Sequence, residues 1–383
     1  MFKNKIYNYL SVEIVKNFIT ILLTFTAIAW VVRAVNFLDL MVEDGYSSVI
    51  YFKYSVLNIT TIITRFVPLA FLLSLTISII KFERQQELMI LWTSGLAKIK
   101  VANIFLLVAF FITLFQLILS LFVNPLLLNK SRSLLSDTRS LQINTILKSN
   151  DFSDSLKGIT FYIDKKNSNN ELINIFIKDV GGNLNTLVKN EKDSKSRNDT
   201  TIVAQKGFVN EDKLILFNGT IQTLDKKNEL KNIQFEKTEL SISNFSTRTI
   251  KQPKIQETSS YSLFRCVFAS EDNLNLQNCS KENFKSEIVQ NLSRRLGTPL
   301  YIPLISVIVS FLLIYKKEKK YNFLKKYTLF IISFVALVLA EILLKYTGFS
   351  LLLAISYFVL PLIMCAIFYI FLVRKIITEK ITQ

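Results

Sequence analysis

Two arginines lie where a charge is costly, inside apolar stretches that are long enough to cross a membrane. Arg33 falls within Phe18–Leu38 and Arg65 within Val56–Ile80, and about 20 apolar residues of helix span the hydrocarbon layer. A charge near the centre of that layer costs about 2.5–3.5 kcal/mol or more, so such side chains normally face a bundle interior or a wet cavity. Because a guanidinium donates two parallel hydrogen bonds to a phosphate, we predict that Arg65 binds an anionic group. Arg33 is near the end of its stretch, where snorkelling to the interface is an equal alternative.

The residue content excludes several kinds of chemistry. The chain of 383 residues has no histidine, which removes histidine metal ligands and histidine general bases, and it has no GxxxxGK[ST] phosphate loop. The sequence therefore excludes histidine-based metal sites, catalytic triads and general bases, and it excludes the usual mode of ATP binding.

The segment at about 82–96 is too apolar for a simple tether between two spans. Leu88, Leu91 and Trp92 share one helical face, and Gly95 is placed to end the helix. We predict a short amphipathic helix that fills a groove on a partner. The alternative is a helix that lies flat on the lipid.

These residues must be positioned by apolar stretches that come in two groups of three, separated by a long polar insert. The expected spans are Phe18–Leu38, Val56–Ile80, Val101–Leu127, Pro299–Tyr315, Tyr327–Leu344 and Leu351–Val373. Half of the residues are hydrophobic and the mean hydropathy is +0.36, which is unusual for a soluble domain. We predict a membrane α-helical fold of six transmembrane helices, arranged 3+3. The expected domains are 1–128 with helices 1–3, 129–296 as the insert, and 297–383 with helices 4–6.

The distribution of charge sets the expected topology. The formal net charge is +17, and the basic residues cluster at both termini and in the loops after the second and fourth spans. The positive-inside rule places these parts in the cytoplasm, and counting crossings then places the insert outside. The basic loops are therefore topology signals, and we expect no nucleic-acid partner.

The insert alternates polar and apolar residues as strands do. The expected strands are Gly158–Asp164, Glu171–Asp179, Thr200–Val209, Lys213–Leu224 and Leu230–Ser243. Asn218-Gly219 has the chemistry of a turn. With helical connectors at its ends, the insert is expected to be an all-β domain, a small sandwich or jelly-roll-like fold. An amphipathic helix over Ser280–Leu296 either lies near the outer membrane surface or packs on the sheet as a connector.

Two cysteines of the insert are on the side where oxidation is possible. Cys266 and Cys279 are a possible disulfide, which spacing alone leaves open because it does not fix the geometry.

The loop and the layout together resemble the lipopolysaccharide export permeases, the LptF/LptG (YjgP/YjgQ) family. The pattern Arg-x-x-Glu-Leu-x-x-Leu-x-x-x-Gly of that family is matched from Arg84 to Gly95, and the stretch Arg294–Pro299 is similar to its entry into the fourth span. The Gly-x-Thr-x-Tyr-Ile sequence that begins at Gly158 favours the LptF paralogue.

The resemblance implies a non-catalytic transport subunit of an ABC-type exporter, with no catalytic residues, no metal ligands and no cofactor. It places this subunit in the inner membrane of a Gram-negative bacterium, with the termini cytoplasmic and the β domain periplasmic. Its implied partners are a homologous LptG-like permease, an LptB-like cytoplasmic ATPase dimer that hydrolyses the ATP, LptC/LptA-like bridge proteins, and lipopolysaccharide as substrate. The implied ATPase-coupling residues are Arg84, Glu87, Leu88, Leu91, Trp92 and Gly95. The candidate substrate-binding residues are Arg33 and Arg65, with Arg132 and Arg139 at the cavity rim.

Two other transport classes are alternatives. A lipoprotein-releasing or FtsX-like ABC permease typically has four spans with its external domain after the first. A secondary transporter works without an ATPase and typically has internal repeats, which this sequence does not display.

Overall fold

A computed structural model describes most of the chain. The described residues are 5–38, 41, 46–137, 149–150, 152–156, 158–167, 171–180, 199–210, 213–224, 230–241, 254–269, 279, 282–314 and 319–381. They divide into two compact units, and we describe each by itself. The first, the membrane unit, contains Met1–Arg33, Leu57–Lys130 and Pro253–Gln383, and the second contains Ala34–Val56 and Ser131–Gln252.

Helices dominate the membrane unit. In chain order the helices of the protein are α1 (Lys5–Asn36), α2 (Ser48–Leu57), α3 (Ile59–Arg84), α4 (Glu87–Thr93), α5 (Lys98–Ile118), α6 (Asn124–Asp137), α7 (Ser260–Ala269), α8 (Glu282–Gly297), α9 (Tyr301–Ser310), α10 (Lys319–Tyr346) and α11 (Leu351–Ile381). A π-helical turn at Leu119–Val123 joins α5 to α6, and short 3-10 turns lie at Ile255–Glu257, Thr298–Leu300 and Phe311–Leu313.

Six stretches of helix in the described residues are long and apolar enough to cross a membrane. They are Lys5–Asn36, Ser48–Arg84, Lys98–Leu135, Glu282–Leu313, Lys326–Tyr346 and Leu351–Glu379. The predicted six helices, three on each side of an inserted β domain, are therefore confirmed. Lipid satisfies no backbone hydrogen bonds, so continuous helices of this length are the structure that such apolar sequences favour.

The fourth stretch provides the centre of the bundle. Ile302, Ile305 and Val309 of α9 are at most 1% exposed, and α9 packs against α3, α5, α10 and α11. By contrast, α1 buries only a narrow stripe, which consists of Leu10, Ile14, Phe18, Leu22 and Thr26. The spacing of four residues makes that stripe a single ridge of the helix.

The entry into the fourth span differs from the expectation of a separate helix over Ser280–Leu296. α8 runs through Gly297 and a 3-10 turn directly into α9, so it forms the outer end of the span. Gly297 permits this path, because a Cβ there would lie 2.3 Å from Cε1 of Tyr357 on α11.

A disulfide between Cys266 and Cys279 lies beside α8. Both cysteines are fully buried in a small apolar cluster with Leu263 of α7 and Ile288 and Leu292 of α8. The segment that begins at Pro253 thus belongs to the membrane unit, whereas the sequence placed the domain boundary between 296 and 297.

The second unit contains one six-stranded antiparallel sheet. Its strands are β1 (Phe152–Leu156), β2 (Ile159–Lys166), β3 (Glu171–Asp179), β4 (Thr200–Asn210), β5 (Lys213–Leu224) and β6 (Leu230–Ser241). The five predicted strands are confirmed, and β1 is an addition. Each strand pairs with its neighbours in the chain, so the described strands form a meander, without the Greek-key crossovers of a jelly roll.

A line of irregular residues lets this one sheet enclose a core. In β3, β4 and β5 the buried positions shift from even-numbered to odd-numbered residues partway along the strand. The shift falls between Leu172 and Ile175 in β3 and between Leu216 and Ile221 in β5. Asn174 and Asn218 sit at the two changes in the left-handed region, with φ of 53° and 48°. Asn218-Gly219 is therefore a kink within β5, and its interpretation as a turn is wrong, because asparagine tolerates positive φ inside a strand as well as between strands.

Candidate functional site

Arg65 lines a polar cavity of about 70 Å³ in the membrane unit. The cavity is formed by Thr61, Thr64, Arg65, Gln116, Ser120, Asn124, Gln256, Asn291, Arg294, Arg295, Thr298 and Glu341. These residues come from α3, the α5–α6 helix, α8, α10 and the 3-10 turns that precede α7 and follow α8. Hydroxyl, amide and guanidinium groups therefore converge at one depth of an otherwise apolar bundle.

A proline in α3 explains part of this polarity. Pro68 has no N–H, so the carbonyl oxygen of Thr64, four residues earlier, lacks its helical donor. The Gln116 side-chain amide donates to that oxygen at 3.1 Å. One turn earlier, the hydroxyls of Thr60 and Thr61 donate to Asn124 Oδ1 at 3.3 and 2.9 Å. Polar side chains thus join α3 to the α5–α6 helix at the place where the proline weakens α3, as membrane helices require.

The cavity carries an excess of positive charge. Arg33 and Arg294 both repel the charge of Arg65, while Glu341 attracts it. The closest ion pair joins Arg294 Nη2 and Glu341 Oε2 at 4.0 Å. Glu341 therefore faces an arginine of α8, although its spacing from Lys345 also allowed a pair within α10. The cavity lining itself holds three guanidinium groups, those of Arg65, Arg294 and Arg295, against the one carboxylate of Glu341, and this excess makes the place attractive to an anion.

One guanidinium atom at this site has an unmet hydrogen-bonding requirement. Nε of Arg294 is buried and has no hydrogen-bond partner among the described residues. A buried donor without an acceptor is costly, so an acceptor supplied by a ligand would stabilise Arg294 here.

A larger apolar cavity shares Arg65, Thr298 and Glu341 with the polar one. Its volume is about 330 Å³, and its walls come from α3, α9, α10 and α11. The side chains of Pro68, Leu69, Phe334, Leu337, Val338 and Ile342 make it mainly apolar. The arrangement fits a molecule that is anionic at one end and apolar along its body.

Arg295, next to Arg294, was not singled out from the sequence, and its role is structural. Its side chain is 6% exposed and makes five hydrogen bonds. The acceptors are Asn291 Oδ1, Ser260 Oγ and the backbone carbonyls of Ile255, Gln256 and Thr258, at 2.8–3.1 Å. All five donors of the guanidinium are used, which fixes the segment before α7 to α8.

The two predicted rim arginines are not part of this arrangement as described. Arg132 lies on α6 in the second unit, partly exposed. Arg139 lies outside the described residues. The structure brings Arg65, Arg294 and Glu341 together in the lining of the polar cavity. Arg33 does not line it, although it is near enough to repel the charge of Arg65. The signals for Arg294 and Glu341 were an arginine at a span entry and a carboxylate inside a span.

The predicted helix of the 82–96 segment is confirmed as α4. It begins after Gln86, whose φ of 60° turns the chain sharply out of α3, and it ends before Gly95, which has φ of 85°. Leu88 is 6% exposed and belongs to the core of the bundle, against which Leu91 and Trp92 also pack. The apolar face therefore points into the protein itself, and the exposed large side chains of α4 are Met89 and Ile90.

Polar contacts attach this segment to other helices of the membrane unit. The Tyr9 hydroxyl on α1 donates to Glu87 Oε1 at 3.0 Å. Lys326 of α10 forms an ion pair with Glu83 at 2.9 Å. Arg84 is exposed beside them. A shallow apolar groove of about 340 Å³ runs between α1 and α4, with Ile6, Tyr9 and Ile90 among its walls.

The described residues contain no group of three or more acidic, cysteine or histidine side chains that could hold a metal ion. The two cavities present guanidinium, carboxylate, amide and hydroxyl groups beside apolar side chains.

Comparison with known proteins shows which family the chain belongs to. The match to a curated relative, "Uncharacterized protein RP871" of Rickettsia prowazekii (strain Madrid E), is 28% identical over 169 residues, which is 43% of this chain. The chain spans about half the length of that relative, 47%. The sequence profile of the family described as "Lipopolysaccharide export system permease LptF/LptG" matches residues 8–375. That match covers nearly all of the six candidate spans and the inserted sheet, so the chain belongs to the LptF/LptG family of lipopolysaccharide export system permeases.

Proposed function

We propose that this chain is the transmembrane permease subunit of an ABC-type exporter that extracts lipopolysaccharide from the inner membrane and passes it to a periplasmic bridge toward the outer membrane. The observation that carries the proposal is the arginine-lined polar cavity, which shares Arg65, Thr298 and Glu341 with a larger apolar cavity. Lipopolysaccharide joins phosphate groups to several acyl chains. Membership of the LptF/LptG family supports this choice among amphipathic anions.

In this proposal the phosphate lies among Arg33, Arg65 and Arg294, and acyl chain lies in the apolar cavity. The buried Nε of Arg294 would gain an acceptor from the phosphate. Glu341 would then compete with the ligand for Arg294, to which it is 4.0 Å away, and this competition keeps the site from binding too tightly for release. Arg132 and Arg139 remain proposed as rim residues, where they would meet the headgroup first.

The proposed topology has the termini and α4 in the cytoplasm of a Gram-negative bacterium and the β unit in the periplasm. The basic loops before and after the spans support it by the positive-inside rule. Within this topology, the β unit faces the LptC/LptA-like bridge proteins. The Gly-x-Thr-x-Tyr-Ile sequence at the start of β2 supports the LptF paralogue, with an LptG-like permease as its partner.

We place the contact with an LptB-like ATPase dimer on the exposed side of the coupling segment. Met89 is 56% and Ile90 63% exposed, and Arg84 and Glu87 add charge beside them. Leu88, Leu91 and Trp92 would hold α4 on the bundle from within, and Gly95 would set its end. ATP hydrolysis belongs to the partner in this proposal.

The competing classes make different predictions about span number and partners. A lipoprotein-releasing or FtsX-like permease places its external domain after the first of four spans, whereas here the sheet follows the third of six candidate spans. A secondary transporter would purify without an ATPase. Purification of the native membrane complex should yield a stoichiometric ATPase and a second permease, and a complex that transports without any ATPase would reject the exporter.

The substrate site is tested by photocrosslinking to lipopolysaccharide in the reconstituted complex. A photoreactive amino acid at Leu337, a wall of the apolar cavity, should crosslink the lipid. In that background Arg65→Ala should lower the yield roughly ten-fold, because a charge-assisted hydrogen bond contributes about 1.5–3 kcal/mol. The control is Arg374→Ala, which removes an exposed arginine at the other end of α11. Unchanged crosslinking and transport in Arg65→Ala would remove Arg65 from the substrate site.

A further inference from the structure

The cytoplasmic end of α1 is attached to the coupling segment and to α3 by a series of polar contacts. Tyr9 donates to Glu87, and its ring lies 6.2 Å from that of Phe82. Further along α1, Glu13 forms an ion pair with Lys81, and the Asn17 amide donates to Ser78 Oγ at 2.9 Å.

The rest of α1 buries few side chains. Beyond the ridge that ends at Thr26, the described side chains of α1 are not buried, and Ile28, Val31 and Val32 are 56–61% exposed. The contacts at the end of the ridge and beyond it include Phe25 stacked on Phe66, with 5.7 Å between ring centroids, and the Ala34 carbonyl, which accepts from the Tyr51 hydroxyl at 2.9 Å. Because little side-chain surface is buried there, a displacement of the inner end can be passed along the helix without unpacking a core.

α1 is also an uninterrupted rod. Its 32 residues contain neither glycine nor proline, so nothing in the sequence favours a kink. Arg33 follows Tyr9 by 24 residues, which corresponds to about 36 Å along the axis. Arg33 belongs to the group of charges around Arg65. One straight helix thus connects the coupling segment to the anion site.

The alternative path through α3 is interrupted. α3 also runs from the coupling segment to Arg65, but Pro68 lies between them and removes one bond from its hydrogen-bond ladder. The released carbonyl of Thr64 is bound by Gln116 of α5, which anchors the outer part of α3 to a different helix. Movement that enters α3 from the cytoplasm is therefore divided at Pro68, while movement that enters α1 is not.

We infer that Tyr9 is a positioning residue of the coupling segment: its hydroxyl bond to Glu87 transmits displacement of α4 into α1 and so to Arg33 at the far end. The inference rests on the proposed function, because it needs an ATPase that moves α4. It adds that the first span, and not only the second, carries that movement to the substrate site.

The test uses the complete exporter in proteoliposomes and measures lipopolysaccharide extracted per ATP hydrolysed. Tyr9→Phe removes only the hydroxyl and keeps the ring on Phe82. We expect the ratio to fall roughly three- to ten-fold, the range for one ordinary hydrogen bond, because this bond is exposed to solvent; ATP hydrolysis should stay close to that of the unmodified complex. Tyr369→Phe is the matched control, since that phenol also donates over 3.0 Å to a side chain of another span, Asn103, but does not touch α4.

A double-mutant cycle separates transmission from general stability. Tyr9→Phe and Glu87→Gln weaken the same bond, so the double variant should lose little more than Glu87→Gln alone. Two results would overturn the inference and leave the exporter proposal intact. One is that the losses of the two single variants add in the double variant. The other is that Tyr9→Phe extracts as much lipopolysaccharide per ATP as the unmodified complex. Absence of ATP-dependent extraction by the unmodified complex would instead overturn the proposed function, and the inference with it.

Movement of α1 can be measured directly by electron–electron distance spectroscopy. Spin labels at Val31→Cys and Phe122→Cys, both at exposed positions, report the outer end of α1 against the end of the α5 helix in a Cys365→Ser background. ATP should change this distance, and Tyr9→Phe should reduce the change to roughly half or less. A distance that ATP does not alter, or that changes equally in Tyr9→Phe, would show that α1 does not carry the movement.

Discussion

Arg294 and Arg295 are adjacent in sequence, and we expect their alanine variants to fail in different ways. Arg295→Ala removes five hydrogen bonds from a buried guanidinium. At a net value of about 1 kcal/mol each the loss is about 5 kcal/mol, and removal of a costly buried charge offsets part of it, which leaves about 3–5 kcal/mol of unfolding free energy. Three of the acceptors are backbone carbonyls, which the variant would leave without their donor.

The assay is the thermal unfolding midpoint of the detergent-purified protein, followed by the loss of monodisperse material on size exclusion. We expect Arg295→Ala to lower the midpoint by about 6–10 °C. Cleavage by trypsin after Lys254, which is already exposed, should become faster, because the backbone of this segment would lose the bonds that Arg295 makes to it. The midpoint of Arg295→Lys should lie between those of Arg295→Ala and the unmodified protein, because lysine keeps the charge but offers three donors from one point.

Arg294→Ala is the matched control. Its side chain is 40% exposed and its ion pair with Glu341 spans 4.0 Å, so the midpoint should move by about 1 °C or less. Crosslinking of lipopolysaccharide at Leu337 should nevertheless fall. A midpoint that is unchanged in Arg295→Ala, or that falls equally in Arg294→Ala, would refute the assignment of structure to one arginine and ligand to the other.

Two further predictions concern the packing around α8. Gly297→Ala should lower the unfolding free energy by about 1–3 kcal/mol, because the new Cβ would lie 2.3 Å from the Tyr357 ring. Replacing that ring by a smaller side chain, Tyr357→Leu, should recover part of the loss in the double variant. An unchanged unfolding midpoint in Gly297→Ala would contradict the close approach. Maleimide labelling of the denatured, unreduced protein should modify Cys365 alone, and reduction should add the two thiols of Cys266 and Cys279. Three labels before reduction would show that the disulfide is absent.

Patterns of length and period were sufficient to predict the main elements. Six apolar stretches of membrane-spanning length became six candidate spans, and alternation with period two located five strands to within about two residues at each end. Both patterns reflect the surroundings of each side chain, either lipid or a protein core, and both can be detected within a short stretch of sequence.

The sequence could not indicate which partner covers an apolar face. Leu88, Leu91 and Trp92 recur with helical period, but the same period serves docking on another protein and packing on the bundle. The structure places this face against the protein's own core, and the large side chains of α4 that stay exposed are Met89 and Ile90. Likewise Asn218-Gly219 has the composition of a turn, and only the pairing of β5 with β4 and β6 on both sides of it reveals a kink within a strand.

Helical geometry explains why two neighbouring arginines divide their roles. Successive residues on a helix point about 100° apart, so Arg294 and Arg295 leave α8 in different directions, although parts of both line the polar cavity. Arg295 bonds to Asn291, one turn earlier, and to the segment before α7, which fixes the rotation of α8 about its own axis. That rotation directs Arg294 toward Glu341 and the polar cavity. The dependence runs one way: loss of Arg295 should weaken both stability and lipid crosslinking, whereas loss of Arg294 should weaken crosslinking alone.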